Sequence, residues 1–284
     1  MVTLVDCHMH MILDGGWWRD AIARHAVRIN EAAVRKELAA WQAAGFTYLR
    51  DGGDKWGAGA FARSIAPEYG ITYRSPLSPL HKRGHYGGFI GTAFDNETEF
   101  AALVASHKRG GADFIKIMIS GLMDFNVYGR LSEESLSSQE IRQLISIVKD
   151  TGMSVMIHGN GPQAVIAAAL AGADSIEHGA YLNNEALHAM AENGTVWVPT
   201  LSTVANPRGT GRFDDAVLTK ILESAQENVY QFAHMGGLIA PGSDAGAWAV
   251  PHGCTTEQAL LHDCLGDAAE DILQKGIARI QERF

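Results

Sequence analysis

The sequence predicts an α/β fold, a single (β/α)8 TIM barrel, and three observations predict it. First, 284 residues with 46% hydrophobic content can bury one large core, and a barrel of this type takes roughly 250 residues. Second, short apolar runs alternate eight times with longer helical patterns, the order of a parallel sheet joined by crossover helices. Third, the only glycine-rich turn after an early strand lacks the G-x-G-x-x-G order of an open dinucleotide-binding sheet. The reading is one domain over residues 1–284, with the barrel at about 2–265 and an extra helix at about 268–283.

The elements follow in order. Strand one is Leu4 to Cys7, followed by a Gly/Trp loop and a helical stretch from Ile22 to Ala44 that Gly45 stops. Phe46 to Arg50 is strand two and Ala58 to Ala66 its helix; Ile71 to Leu77 is strand three, followed by a Gly/His loop from His81 to Gly91 and a helix from Glu97 to Arg109. Strand four is Phe114 to Ser120, with a helix from Ser138 to Asp150. Strands five and six are Ser154 to His158 and Ser175 to His178, with helices Pro162 to Ala171 and Asn184 to Glu192. Val196 to Leu201 is strand seven, and a loop with Pro207, Gly209 and Gly211 leads to a helix from Asp214 to Met235. Leu238 to Ser243 is strand eight, and helices from Thr256 to Leu265 and Ala268 to Arg283 complete the chain.

An excess of 32 acidic over 23 basic residues, a net charge of -9, argues against nucleic acid or an anionic membrane as partner. Cys7, Cys254 and Cys264 have neither a paired framework nor zinc-ribbon spacing and suit a reducing compartment as free thiols. No basic-then-apolar leader precedes Val2, and no apolar run approaches the roughly 20 residues of a bilayer span. The expectation is a cytoplasmic protein acting on a small molecule, with homo-oligomerisation left open.

In a barrel of this type the active site forms at the C-terminal ends of the strands. Strand one ends in His8 and His10, whose i, i+2 spacing puts both imidazoles on one face while Cys7 and Met9 point away. By itself a His-x-His pair is weak in a chain with 12 histidines. Strand five ends in His158, strand six in His178, and strand eight in Asp244 within GSDAG. Taken singly, each histidine also reads as a core residue bonded to backbone, and Asp244 as a helix cap. Together they converge on one mouth, with imidazoles that suit zinc and an aspartate that can ligate metal and take a proton. The remaining helical histidines, such as His107 and His188, carry no role.

Lys116 lies mid-strand in FIKIMIS, where period two sets Phe114, Lys116, Met118 and Ser120 on one face and three isoleucines on the other. An unpaired ammonium inside the barrel is costly. A lysine of lowered pKa can react with carbon dioxide to give a carbamate, a metal-bridging carboxylate. The alternative is a lysine that snorkels to the mouth or pairs with Asp244.

In this order DCHMH, the lysine of FIKIMISG, MIHGN, SIEHG and GSDAG resemble the metal-site motifs of the amidohydrolase superfamily over nearly the whole chain. YLRDGG, SIEHGAYLNNEAL and VWVPTLST are similar to its imidazolonepropionase-like and prolidase-like branch, whose members with a strand-four lysine are typically dinuclear zinc peptidases or amidases. The resemblance implies two divalent metal ions, zinc being typical. His8, His10 and Asp244 would hold the more buried ion and His158 and His178 the more exposed one, with N-carboxylated Lys116 and a hydroxide bridging them. Relatives usually carry a small β-sandwich built from segments flanking the barrel. Only seven residues precede His8 here, so the expectation is a barrel without that accessory sandwich.

The function this implies is hydrolysis of a C–N amide or peptide bond in a small substrate, a dipeptide or N-acyl amino acid, with Asp244 as base and then acid. A lactonase or phosphotriesterase-like esterase would use the same ligands. A mononuclear deaminase has no need of Lys116, and Gly159-Asn160-Gly161 after His158 offers it no glutamate. A non-enzymatic binding barrel predicts missing ligands. For substrate contacts the loops offer His85, which resembles a substrate-loop histidine of relatives, with Tyr128, Arg208 and Arg212; Trp17 and Trp18 could wall an apolar pocket.

Overall fold

The computed structural model describes residues 4–284, so Met1 to Thr3, including the first residues of the expected barrel span, lie outside the described residues. Among the described residues ten strands, all paired in parallel, carry the fold: β1 (Leu4–Met9), β2 (Phe46–Asp51), β3 (Thr72–Arg74), β4 (Leu80–Lys82), β5 (Thr92–Phe94), β6 (Ile115–Met118), β7 (Val155–Gly159), β8 (Ser175–His178), β9 (Val196–Val198) and β10 (Leu238–Ile239). They form two sheets, β1-β2-β3 and β10-β9-β8-β7-β6-β4-β5. Between β10 and β1 the backbone runs on without a gap: Cys7 N–H donates to Pro241 O at 2.8 Å, Asp244 N–H to His8 O at 2.7 Å and His10 N–H to Ala245 O at 2.7 Å. Barrel strand three is split in two, β3 bonding to β2 and β4 to β6. Pro76 and Pro79 lie in the break, where a residue without N–H cannot serve a ladder.

Residues alternate between two cores. Ile115, Ile117 and Ile119 pack outward with Val104, Ile141, Leu144 and Ile145 of the covering helices, as the period-two pattern of strand four demands. Inside the ring Val5, Cys7, Tyr48, Phe114, Met156, Val196, Val198 and Ala240 meet Ile280 and Phe284 from helix Ala269–Arg283 and the residue after it. Cys7 therefore corrects the simple alternation: it joins the interior. The pairing of β1 with β2 is irregular between Asp6 and Met9, and such an extra residue lets Cys7 and His8 serve the same side.

The predicted helices recur with small shifts of boundary, save one. The stretch expected as a single helix from Ile22 to Ala44 is two, Trp18–Ala23 and Glu31–Ala43. The Asn30 side chain accepts from Ala33 N–H at 3.1 Å and starts the second. The Gly/His loop begins inside β4, so His81 is a strand residue, and β5 follows the loop directly. Among the described residues no helix is long and apolar enough to cross a membrane.

Candidate active site

Six side chains named from the sequence meet at the C-terminal ends of the strands. His8 Nε2, His10 Nε2 and Asp244 Oδ1 form a near-equilateral triangle, 3.4 Å between the imidazoles and 3.5 and 3.4 Å to the carboxylate. Lys116 Nζ lies 3.2 Å from His8 Nε2. His158 and His178 lie beside them, ring centroids 4.6 Å apart, with His178 4.9 Å from the His8 ring and its Nδ1 4.0 Å from Asp244 Oδ2. The backbone fits this crowding closely. A Cβ on Gly52 would lie 2.1 Å from His10 Cε1, so Gly52→Ala is expected to displace His10 at about 1–3 kcal/mol and to weaken metal uptake, which a competition titration against a chromogenic chelator would measure. Unchanged affinity in a folded variant would show that His10 is not needed there.

Alternation alone would not bring all six inward. On β8 Ser175 and Glu177 share the inner face, and His178, next in sequence, should point out. Its φ of 69° places it in the left-handed region, which non-glycine residues rarely adopt, and this turns the imidazole back to the mouth. Thr200 (φ 51°) and Asp244 (φ 56°) behave alike after β9 and β10. The His178 ring is then fixed by Thr200 Oγ1, 2.8 Å from Nδ1, while the Trp197 indole N–H donates to His178 O at 3.0 Å.

Beneath the six lies a buried ion pair that sequence reasoning missed. Glu177 Oε2 sits 2.7 Å from His8 Nδ1, and Arg50 Nη2 donates to both Glu177 oxygens at 2.9 and 3.1 Å. Arg50 also donates to Ser175 Oγ at 2.9 Å and Cys7 O at 2.6 Å, with Ser175 hydrogen-bonded to Glu177. Its guanidinium stands 4.3 Å from the Phe284 ring centroid, at the inner core. Glu177 thus sets His8 with Nδ1 as donor and Nε2 free for the site, the usual support of a ligating histidine.

Electrostatics point the same way. Burial, then the Lys116 ammonium, hold His8 and His10 well below the usual imidazole range and His158 at about 3; burial and the neighbouring imidazoles do the same to His178. These rings are neutral, as metal binding requires. Burial pulls Lys116 down, against the pull of the Asp244, Glu177 and Asp51 carboxylates, and pushes Asp244 up, against Lys116. Asp244 Oδ1 is buried with no hydrogen-bond donor. The residues therefore fit a divalent cation: a tetrahedral ion with bonds of about 2.0–2.1 Å needs donors roughly 3.3–3.4 Å apart, and the triangle has that edge. His8, His10 and Asp244 form the cluster whose donor atoms converge this closely.

Above this floor opens a cavity of about 420 Å³, within the size range of small-molecule sites. His10, His178 and Asp244 line its base, with Asn160 beside them, and Trp18, Tyr86, Phe89, Phe125, Phe213 and Trp248 supply aromatic walls. Of the substrate residues named from sequence, Arg212 lines the cavity. Tyr86, the neighbour of His85, faces it and packs 4.8 Å from the His158 ring, whereas His85 is half-buried with Nδ1 3.5 Å from Glu133. Tyr128 packs on Tyr181 and under Lys220, and Arg208 is exposed; neither is among the lining residues. Tyr86 and Asn160 were missed, though Tyr86 adjoins His85 and Asn160 follows His158 by two residues. Asn160 is held by Ala180 N–H on Oδ1 at 2.8 Å and by its own amide donating to Gly121 O at 3.0 Å.

No family model matches the chain. Ochratoxinase of Aspergillus niger is 26% identical over an alignment covering 86% of this chain and 57% of that protein, so the chain spans little more than half the length of this curated relative. Among solved structures, a Xaa-Pro dipeptidase with methionine bound in its active site superposes with a TM-score of 0.76 at 23% identity, over 98% of this chain and 75% of the other. A prolidase complexed with N-methylphosphonate-L-proline gives 0.74 at 21%, over 99% and 74%. The chain therefore shares the fold of these hydrolases and is similar in sequence to ochratoxinase.

Proposed function

We propose that the chain is a metal-dependent hydrolase of C–N amide or peptide bonds in small substrates such as dipeptides or N-acyl amino acids. The observation that carries this is the triangle of His8, His10 and Asp244 donors, with Lys116 Nζ 3.2 Å from His8 Nε2, at the base of an apolar cavity. His8, His10 and Asp244 would hold one ion, and His158, His178 and Lys116 a second, Lys116 as its carbamate. Bound there, divalent cations make water nucleophilic at neutral pH and polarise a carbonyl. The protein does the rest. Asp244, its pKa raised by burial, takes a proton from the attacking water and returns it to the leaving amine, a role that wants a pKa near the working pH. Thr200 and Glu177 keep His178 and His8 in place, and the aromatic walls exclude bulk water. The names of the relatives, prolidase, dipeptidase and ochratoxinase, support the class of reaction.

Stripping metal with a chelator is expected to abolish hydrolysis and about two equivalents of divalent ion per chain to restore it, read by elemental analysis beside assays of dipeptides, N-acyl amino acids, lactones and phosphotriesters. One equivalent with activity confined to base deamination would overturn the reading. Activity on lactones alone would move it to the esterase alternative.

A further inference from the structure

Behind the site lies a buried carboxyl group that the metal chemistry does not use. Glu257, in the first turn of helix Thr256–Leu265, is fully buried, and no basic side chain pairs with it among the described residues. Its Oε2 lies 2.8 Å from the Ser202 amide nitrogen and 2.7 Å from Ser202 Oγ, while Oε1 is buried without a hydrogen-bond partner. Ser202 Oγ also lies 3.0 Å from Ser243 O. A hydroxyl carries one proton and an ionised carboxylate carries none. Between a carboxylate and a carbonyl, Ser202 can serve only one, and the other is left short of a donor in a dry site. One added proton resolves the count. A neutral Glu257 donates Oε2–H to Ser202 Oγ, Ser202 donates its own proton to Ser243 O, and Oε2 still accepts the Ser202 N–H. Burial favours that neutral acid, pushing Glu257 up to about 7 against the Ser202 hydroxyl and amide. The other titratable groups that face it, Asp6 on β1 and the thiols of Cys254 and Cys264, add no positive charge.

Ser243 O, at the far end of this chain of bonds, shares one planar peptide with the Asp244 N–H. That N–H donates to His8 O at 2.7 Å, so Ser202 and His8 grip the plane from its two edges. Asp244 leaves the plane at φ 56°, a conformation that persists only where its surroundings enforce it. We infer that Glu257, held as a neutral carboxylic acid, is a positioning residue for Asp244: through Ser202 it fixes the Ser243 carbonyl and so the direction in which the Asp244 side chain enters the site. The consequence for catalysis rests on the hydrolase reading, whereas the proton count does not. Loss of the Glu257 proton to solvent turns the Ser202 hydroxyl toward the new carboxylate, the stronger acceptor, and releases Ser243 O. The grip is therefore present while Glu257 keeps its proton and fades as pH rises through about 7.

Carbon-13 NMR of the zinc-loaded full chain, with Glu257 Cδ assigned through bonds from its own backbone, tests the count. Glu257 is expected to be neutral at low pH and to ionise through about pH 7. The Ser243 carbonyl shift is expected to move with it in the wild type and to stand still in Ser202→Ala. In turnover, Ser202→Ala is expected to lower kcat about five-fold, the worth of one hydrogen bond, with KM nearly unchanged. A Glu257 that ionises near pH 4, as an unperturbed glutamate does at roughly 4.3, or a Ser243 carbonyl that ignores the titration, would overturn the chain of bonds. Wild-type kcat in Ser202→Ala would overturn the positioning. A neutral Glu257 without hydrolysis of any substrate sinks the hydrolase reading alone, and hydrolysis with Glu257 ionised sinks this inference alone.

Discussion

Asp244→Asn is expected to lower turnover by at least about 10²–10⁴-fold, the contribution of a positioned acid–base group, while the protein folds and still takes up metal. The asparagine keeps an oxygen for the triangle with His8 and His10, but it cannot accept the proton. Near-full rate in the variant would remove Asp244 from this role. Loss of metal together with rate would make it chiefly a ligand, so metal content and initial rates must be measured on the same preparation.

The second large effect concerns the buried pair. Glu177→Gln preserves volume and an oxygen facing His8, yet leaves the Arg50 guanidinium without a counter-charge where both side chains are fully buried. Breaking such a pair from one side costs about 3–5 kcal/mol, a large part of a typical 5–15 kcal/mol stability, and loss of a ligand's support costs roughly 10–100-fold in metal affinity. Denaturant unfolding of the metal-free protein isolates the first effect. Adding Arg50→Met should recover much of the stability, since removing both charges costs less than stranding one, but should not recover metal affinity. A loss below about 1 kcal/mol in the single variant would mean that Ser175 and the Cys7 carbonyl satisfy Arg50 without Glu177.

The same residues show what the sequence made legible. Lys116 was readable because three isoleucines on the opposite parity left it no face but the interior, and His8, His158, His178 and Asp244 because strand ends and ordered motifs fell together. Arg50 and Glu177 were not, because they pair 127 residues apart and each sits in a run that reads as plain strand. Cys7 escaped for a different reason: period two assumes an unbroken ladder, and β1 is irregular between Asp6 and Met9. Loops were least legible. Nothing local tells His85 from Tyr86 as the one that faces the cavity, since that depends on how the segment lies over His158, and Arg212 differs from Arg208 only through rings contributed by distant turns.

His178, Thr200 and Asp244, left-handed at the ends of three consecutive strands, have one more consequence. Each such position costs a non-glycine residue of order 1–3 kcal/mol, and all three lie on one side of the barrel mouth, so this quadrant is a loaded spring. Its catches are the Thr200–His178 bond, the Trp197 indole on His178 O and the Asp244 N–H on His8 O. The opposite end, where Phe284 closes on Phe114 and Arg50, supplies cohesion without tension. Selection for melting temperature alone would relax the mouth first, and the more durable protein would be the one whose imidazole and carboxylate had swung out of reach of each other.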